Sequence, residues 1–211
     1  MALWSRWIFP RLCHAALSSR ELAEQRRELL AVARGRVLEL GVGSGLNLPH
    51  YPDGVTRVDG VDPNPGMHVL TGRTLASGEV RSGLAVELHE ARGEALPFAD
   101  GAFDCVVSTW TLCSVGDVGR VLAEVHRVLG PGGRLLYLEH GLSPEAAVAR
   151  WQRRLGPLQR RFADGCHLDR DFTALLAASP LEAEREERFY LDKVPRFGGY
   201  MYRGAALRTS T

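Results

Sequence analysis

Residues 37–45 read VLELGVGSG. An apolar run with one acid in it, Glu39, is followed by glycine at every second position: Gly41, Gly43 and Gly45. A strand that runs into a glycine-rich turn is how parallel α/β sheets hold a nucleotide, beyond the carboxyl end of the first strand. That feature demands alternating strands and helices downstream, and the chain supplies them. Short apolar or alternating segments at 36–40, 57–61, 85–90, 103–109 and 134–140 predict strands, and two more are expected around 185–191 and 200–207.

Helices are predicted over 18–33, from near residue 45, over 64–75 and over 117–129. In the last of these Val118, Val121, Leu122, Val125, Val128 and Leu129 recur at spacings of three and four. GPGG at 130–133 is expected to end that helix and turn the chain. The segment 141–180 is long for a simple crossover. In it Trp151, Leu155, Leu158 and Phe162 share one helical side, arginines lie largely elsewhere, and Gly156-Pro157 is expected to break or kink the helix. It is a candidate lid or substrate wall. The expected organisation is an N-terminal helical segment, 1–34, followed by one α/β domain, 35–211.

The 211 residues suit a single domain, and a net charge of +1 argues against bulk nucleic-acid binding. Four cysteines without a CxxC pair fit a reducing, cytoplasmic setting. No apolar run reaches the ~18 residues that span a bilayer. Trp4, Trp7, Ile8 and Phe9 leave peripheral membrane contact open, against the plainer expectation of a helix packed on the domain.

The nucleotide can be narrowed physically. In the dinucleotide pattern G-x-G-x-x-G the last position here is Leu46, because the third glycine arrives one residue early. A pyrophosphate at a helix N-terminus wants N–H groups and no nearby anion. Glu39, two residues before Gly41, repels it and favours a cationic ligand. S-adenosylmethionine, with a sulfonium and an ammonium and no phosphate, fits. Asp62 follows 21 residues after Gly41, where a carboxylate accepts ribose hydroxyls in either class of cofactor.

VLELGVGSG, VDGVDPNPGM, GEALPFADGAFDCVVST and EVHRVLGPGGRLLYLEH together resemble the class I S-adenosylmethionine-dependent methyltransferases over roughly residues 35–140. That resemblance implies a Rossmann-like, seven-stranded, mostly parallel sheet with the last strand antiparallel and helices on both faces. It implies that Glu39 orders the methionine end of the cofactor, that Gly41, Val42, Gly43, Gly45 and Asn47 approach it, and that Asp62 and Pro63 meet the ribose. Met67, Gly93, Glu94 and Ala95 are implied near the adenine, and Thr109 and Trp110 at the reacting end. Relatives often carry an acid two residues before Glu94; here that position is Arg92. A narrower resemblance, in GLNLPHYP, STWTLCSV, LEHG and DGCHLDRD, is to the alkyl thiol methyltransferases of animal cells and their soluble bacterial relatives.

Methyl transfer from a sulfonium is a direct displacement that yields S-adenosylhomocysteine, and it needs a base only when the acceptor is protonated. His140, at the end of strand five, is the expected base, with Trp110 as a wall of the methyl site. Asp164, His167, Tyr200 and Tyr202 are candidate substrate contacts. No metal is expected, because the adjacent pair Cys166-His167 lacks ligand spacing. The leading reading is a methyltransferase acting on a small molecule, with a thiol as a candidate acceptor. The alternatives are a phosphatidylethanolamine N-methyltransferase, a cofactor-binding scaffold without chemistry and, more remotely, an NAD-dependent oxidoreductase.

Overall fold

The computed structural model describes residues 3–209, so the outermost positions of the expected segments 1–34 and 35–211 lie outside the described residues. A wide π turn, Trp4–Ile8, leads into α1 (Phe9–Leu17) and α2 (Arg20–Leu30). The alternating region follows: β1 (Gly35–Leu40), β2 (Val55–Val61), α3 (Pro65–Ala76), β3 (Ala85–His89), β4 (Phe103–Thr109), α4 (Val118–Val128) and β5 (Leu129–His140). Then come α5 (Ala146–Phe162), α6 (Phe172–Ala177), β6 (Leu181–Tyr190), α7 (Arg196–Gly199) and β7 (Tyr200–Arg208).

The seven strands form one sheet in the order β3-β2-β1-β4-β5-β7-β6. The pairs among β1 to β5 are parallel, whereas β7 runs antiparallel to both β5 and β6. The chain winds outward from β1 to β3 and then returns to place β4 on the other side of β1. That reversal opens a crevice at the carboxyl ends of β1 and β4, the switch point where such sheets bind ligands.

Helices cover both faces because the strands alternate. Leu38 and Leu40 of β1 point to the side of α4, where Val118, Val121, Leu122, Val125 and Val128 are buried with Val106, Leu135 and Tyr137. Val37 points to the other side, where Leu22, Leu29 and Leu30 of α2 pack with Val58, Val107, Leu136 and Met201. Each wholly buried valine or leucine contributes roughly 1.5–3 kcal/mol. Glu39 shares its orientation with Val37, and so faces α2 rather than α4. Side-chain caps fix the helix starts: Ser19 accepts from the Leu22 N–H, Asn64 from that of Gly66 and Asp117 from that of Arg120.

Three sequence expectations fail. No α-helix begins near Gly45; the chain makes a single 3₁₀ turn, Leu48–His50, because Pro49 and Pro52 break the pattern and Tyr51 is drawn into the core. GPGG at 130–133 lies inside β5, which starts at Leu129 directly after α4 and shifts register beside Phe103. α5 continues through Pro157. Its buried residues Ala149, Gln152 and Gly156 hold the turns on either side, so the missing N–H is tolerated on an otherwise exposed helix.

Candidate active site

A cavity of about 600 Å³ opens at the carboxyl ends of β1, β2 and β4. The π turn and α1 roof it through Ser5, Arg6, Phe9 and Cys13, and Asp164 lies on its rim.

Glu39 is 1% exposed and lines the cavity. Its Oε1 accepts from the Asn47 amide at 3.0 Å and its Oε2 from the Tyr51 hydroxyl at 2.7 Å. Burial nevertheless pushes its carboxyl up to about 7, against the pull of Tyr51, Asn47 and Arg26. Two donors and the Arg26 charge do not fully offset the loss of water, so a positive group entering the cavity would favour the ionised carboxylate. Asn47 also donates to Thr109 Oγ1 at 3.0 Å, and its own Oδ1 is buried without a partner. A carboxylate and an orphaned amide oxygen side by side make a receptor for an ammonium.

Arg6, Arg26 and Arg92 all line the cavity, and Arg26, from α2, is the buried one. It is 3% exposed, and burial lowers its titration to about 10, with Glu39 opposing. The guanidinium stands 4.7 Å above the Trp110 ring. Its Nη1 donates to the Leu17 carbonyl at 2.9 Å, and its Nε has no partner. Trp110 itself takes the left-handed conformation, φ 50°, with its N–H donated to the Leu138 carbonyl. The loop after it is pinned by Glu139, a wholly buried acid that accepts from the Ser108 hydroxyl and from the N–H groups of Thr111 and Leu112.

Asp62 directly follows β2, with 8% exposure. Its Oδ2 accepts from the Gly43 N–H at 3.1 Å and its Oδ1 from the Asn64 N–H at 2.8 Å. Burial raises its carboxyl, with those N–H groups opposing. Gly41 and Gly43 have φ of 60° and 55°. A side chain on Gly41 would run into Thr111, and one on Gly43 would meet the Gly41 carbonyl at 3.6 Å beside the cavity.

The structure gathers most of the expected site. Glu39, Gly41, Val42, Gly43, Asn47 and Asp62 line the cavity, as do Pro63, Gly93, Glu94, Thr109, Trp110 and Asp164. Seven expected residues fall elsewhere. Gly45 gives room to Leu48 and Thr71, whose side chains crowd the place of its absent Cβ. Met67 is buried in α3, and Ala95 is exposed with its N–H turned to the Arg92 carbonyl. Tyr200 and Tyr202 stack edge to face in the core, with the Tyr202 hydroxyl on the Leu142 carbonyl. His167 is half-buried, its N–H on the Cys113 carbonyl and its ring 3.8 Å from Asp169. His140 is turned from the cavity, with Nε2 2.9 Å from the Cys166 sulfur. It does not stand where the base of the reaction was expected, because Cys166 occupies its outer nitrogen. Glu94 lines the cavity, yet its carboxylate is engaged by the N–H groups of Gly116 and Asp117.

The chain is similar to known proteins. The family description "Methyltransferase domain" matches residues 38–137. Thiol S-methyltransferase TMT1A of Homo sapiens is 36% identical over 188 residues, covering 81% of this chain and 75% of the human protein. This chain belongs to the class I S-adenosylmethionine-dependent methyltransferases. Thiol S-methyltransferase TMT1B of Rattus norvegicus is 41% identical over 155 residues, 72% of this chain but only 62% of the rat protein. Geranyl diphosphate C-methyltransferase from Streptomyces coelicolor A3(2), solved with S-adenosyl-L-homocysteine, superposes with a TM-score of 0.64 at 16% identity, over 93% of this chain and 87% of that one. At such identity the likeness concerns the fold.

The methyltransferase cofactor fits the donor set. Glu39 and the orphaned Asn47 Oδ1 suit its ammonium, the underused Arg26 guanidinium suits its carboxylate, and Asp62, braced by two N–H groups, suits a pair of ribose hydroxyls. Asn47 and Asp62 were legible in the motif series; Arg26 was not, since only the fold brings it to Trp110.

Proposed function

We propose that this chain transfers the methyl group of S-adenosylmethionine to the sulfur of a small thiol. The reading rests on one juxtaposition: a cavity bearing Glu39, Asn47, Arg26 and Asp62, in a chain 36–41% identical to proteins named thiol S-methyltransferases. When bound, the cofactor supplies an electrophilic methyl group on a sulfonium that departs as a neutral thioether. Glu39 with Asn47 would hold the ammonium, Arg26 the carboxylate and Asp62 the ribose. Gly41 and Gly43 keep the backbone low enough for that approach.

The chain's remaining task is alignment, since holding reactants in line supplies ~7–11 kcal/mol. Trp110, stiffened by Arg26 above it and by Glu139 behind the following loop, forms the wall against which an acceptor would be pressed. No histidine lines the cavity among the described residues. The acceptor's proton would therefore leave to solvent or to Asp164, and turnover would rise with pH toward the ordinary thiol pKa of about 8.5. Four free cysteines suit a reducing compartment, and among the described residues no helix is long and apolar enough to cross a membrane.

The test is an acceptor screen with purified protein, comparing alkyl thiols, amines, phenols, carboxylates and phosphatidylethanolamine and reading S-adenosylhomocysteine formed. Thiols should give the highest kcat/KM, with the methyl thioether as product. A higher value for any other class overturns the thiol assignment. Absence of S-adenosylmethionine binding by calorimetry overturns the whole reading.

A further inference from the structure

Beside the cavity, three side chains from distant stretches meet. Cys113 comes from the loop after β4, His140 from the end of β5 and Cys166 from the segment after α5. The two sulfurs are 3.9 Å apart, His140 Nε2 is 2.9 Å from the Cys166 sulfur, and all three donor atoms lie within 4.8 Å of one another. They are 1%, 7% and 7% exposed in the order Cys113, His140, Cys166.

We propose that Cys113, His140 and Cys166 form a binding site for a soft divalent metal ion, with zinc as its occupant. Two thiolates and one imidazole are the donors that select zinc over hard cations. Zinc–sulfur bonds of ~2.3 Å in a tetrahedron put two sulfurs roughly 3.8 Å apart, close to the 3.9 Å observed. The His140–Cys166 contact is a hydrogen bond in the metal-free state and opens by about 0.6 Å to the corresponding tetrahedral edge. Gln159 of α5, whose amide nitrogen is 3.7 Å from the Cys166 sulfur, is placed to bring its amide oxygen to the fourth position after a flip. His140 would ligate through Nε2, which places the ring proton on Nδ1, a buried nitrogen that has no partner.

Charge and protons balance without any redox step. The metal-free cluster carries two protons, one on Cys113 and one shared by Cys166 and His140. Zinc displaces both, and two thiolates, a neutral imidazole and Zn²⁺ again sum to zero, so the buried site gains no net charge. The other cluster of potential ligands among the described residues, Asp59 with Glu87 and His89, is different in kind. Arg36 and Arg57 already neutralise Asp59 there.

The site would join three pieces of chain that border the cavity. Ser114 follows Cys113 and Asp164 precedes Cys166 by two residues, and both line the cavity. Zinc would hold the segment at 163–168 against the sheet without touching the cofactor.

The full chain should be expressed in zinc-supplemented medium, purified without chelator and assayed for metal. About one zinc per chain is expected. After stripping, cobalt(II) should produce a thiolate-to-cobalt charge-transfer band in the ultraviolet and intense visible d–d bands. Cys113→Ser and Cys166→Ser should weaken cobalt binding by more than roughly 100-fold, beyond the loss for outer-shell changes, whereas Cys105→Ser in the opposite face of the sheet should not. Thiol titration of unaltered protein needs no variant and should show two cysteines protected by zinc. Zinc far below one per chain, with no charge-transfer band and no protection, overturns the proposal and leaves the Cys166–His140 hydrogen bond as the whole of the arrangement. None of these measurements uses S-adenosylmethionine, so they stand or fall apart from the methyltransferase reading.

Discussion

Glu39 shows how one residue trades stability for a site. Its carboxyl titrates near 4.5 in an unfolded chain and is pushed up to about 7 by burial in the fold. Between those values the folded state keeps a proton that the unfolded chain has lost, so stability falls as pH rises through this window. The full cost, on the order of 3 kcal/mol, is present above pH 7. Glu39→Gln should therefore raise the melting temperature at pH 8 and do so less at pH 5, while weakening cofactor binding at least about 10-fold at pH 8. Calorimetry and thermal denaturation at the two pH values check both halves; a variant less stable at pH 8 than at pH 5, relative to the parent, contradicts the assignment. Glu39 was legible because an acid inside an apolar strand just before glycines has few other uses. Glu139 carries the same signal in RLLYLEH and went unread, because no glycine turn follows it. Arg26 was illegible for a different reason: its role depends on Trp110, which is 84 residues away in the chain.

Among the elements, the π turn at Trp4–Ile8 is the roof most open to test. The Ser5 hydroxyl contacts both oxygens of Asp164 at 3.0 Å, the Ser5 carbonyl accepts from the Asn64 amide at 2.8 Å, and the Trp4 indole N–H donates to the Phe162 carbonyl at 3.2 Å. These few polar contacts tie the roof to the ends of α3 and α5. Trp7, Ile8 and Leu12 remain exposed, so only part of this apolar stretch packs as the sequence suggested. Ser5→Ala removes one contact worth about 1 kcal/mol, or roughly fivefold. Amide exchange over residues 4–8 should accelerate by that factor and cofactor dissociation should quicken similarly, with α2 unchanged. Uniform acceleration through α2 would mean that the two helices open together. Local pattern predicted α3 and α4 well because their caps and apolar faces are written within a dozen residues. It failed after β1, where two prolines outweighed the expectation of a helix, and at Pro157, where buried neighbours on α5 outweighed the proline.

At the scale of the whole molecule, the strand order puts Glu39 and Asp62 at the carboxyl ends of neighbouring strands, at the reversal of the sheet, so a single ligand can bridge them. The alternation of strands and the switch point were readable from the sequence, as was the antiparallel last strand through the family resemblance. The meeting of Cys113, His140 and Cys166 was not, because spacing rules detect ligands close in sequence and these lie on three separate segments. The ligand's bridging of β1 and β2 should appear in global stability. S-adenosylhomocysteine at 100 times its Kd adds about 2.7 kcal/mol, which for a chain of this size raises the melting temperature by roughly 5–11 °C. Only ionised Glu39 attracts the ligand's ammonium, and in the free protein that carboxyl titrates at about 7. The rise at fixed ligand concentration should therefore grow between pH 6 and pH 8, and Glu39→Gln should flatten that growth. NAD, whose pyrophosphate would face the same carboxylate, should leave the transition unmoved. Equal protection by NAD would mean that Glu39 does not select the cofactor, and a pH-independent rise in the parent would mean that its ionisation is not coupled to binding.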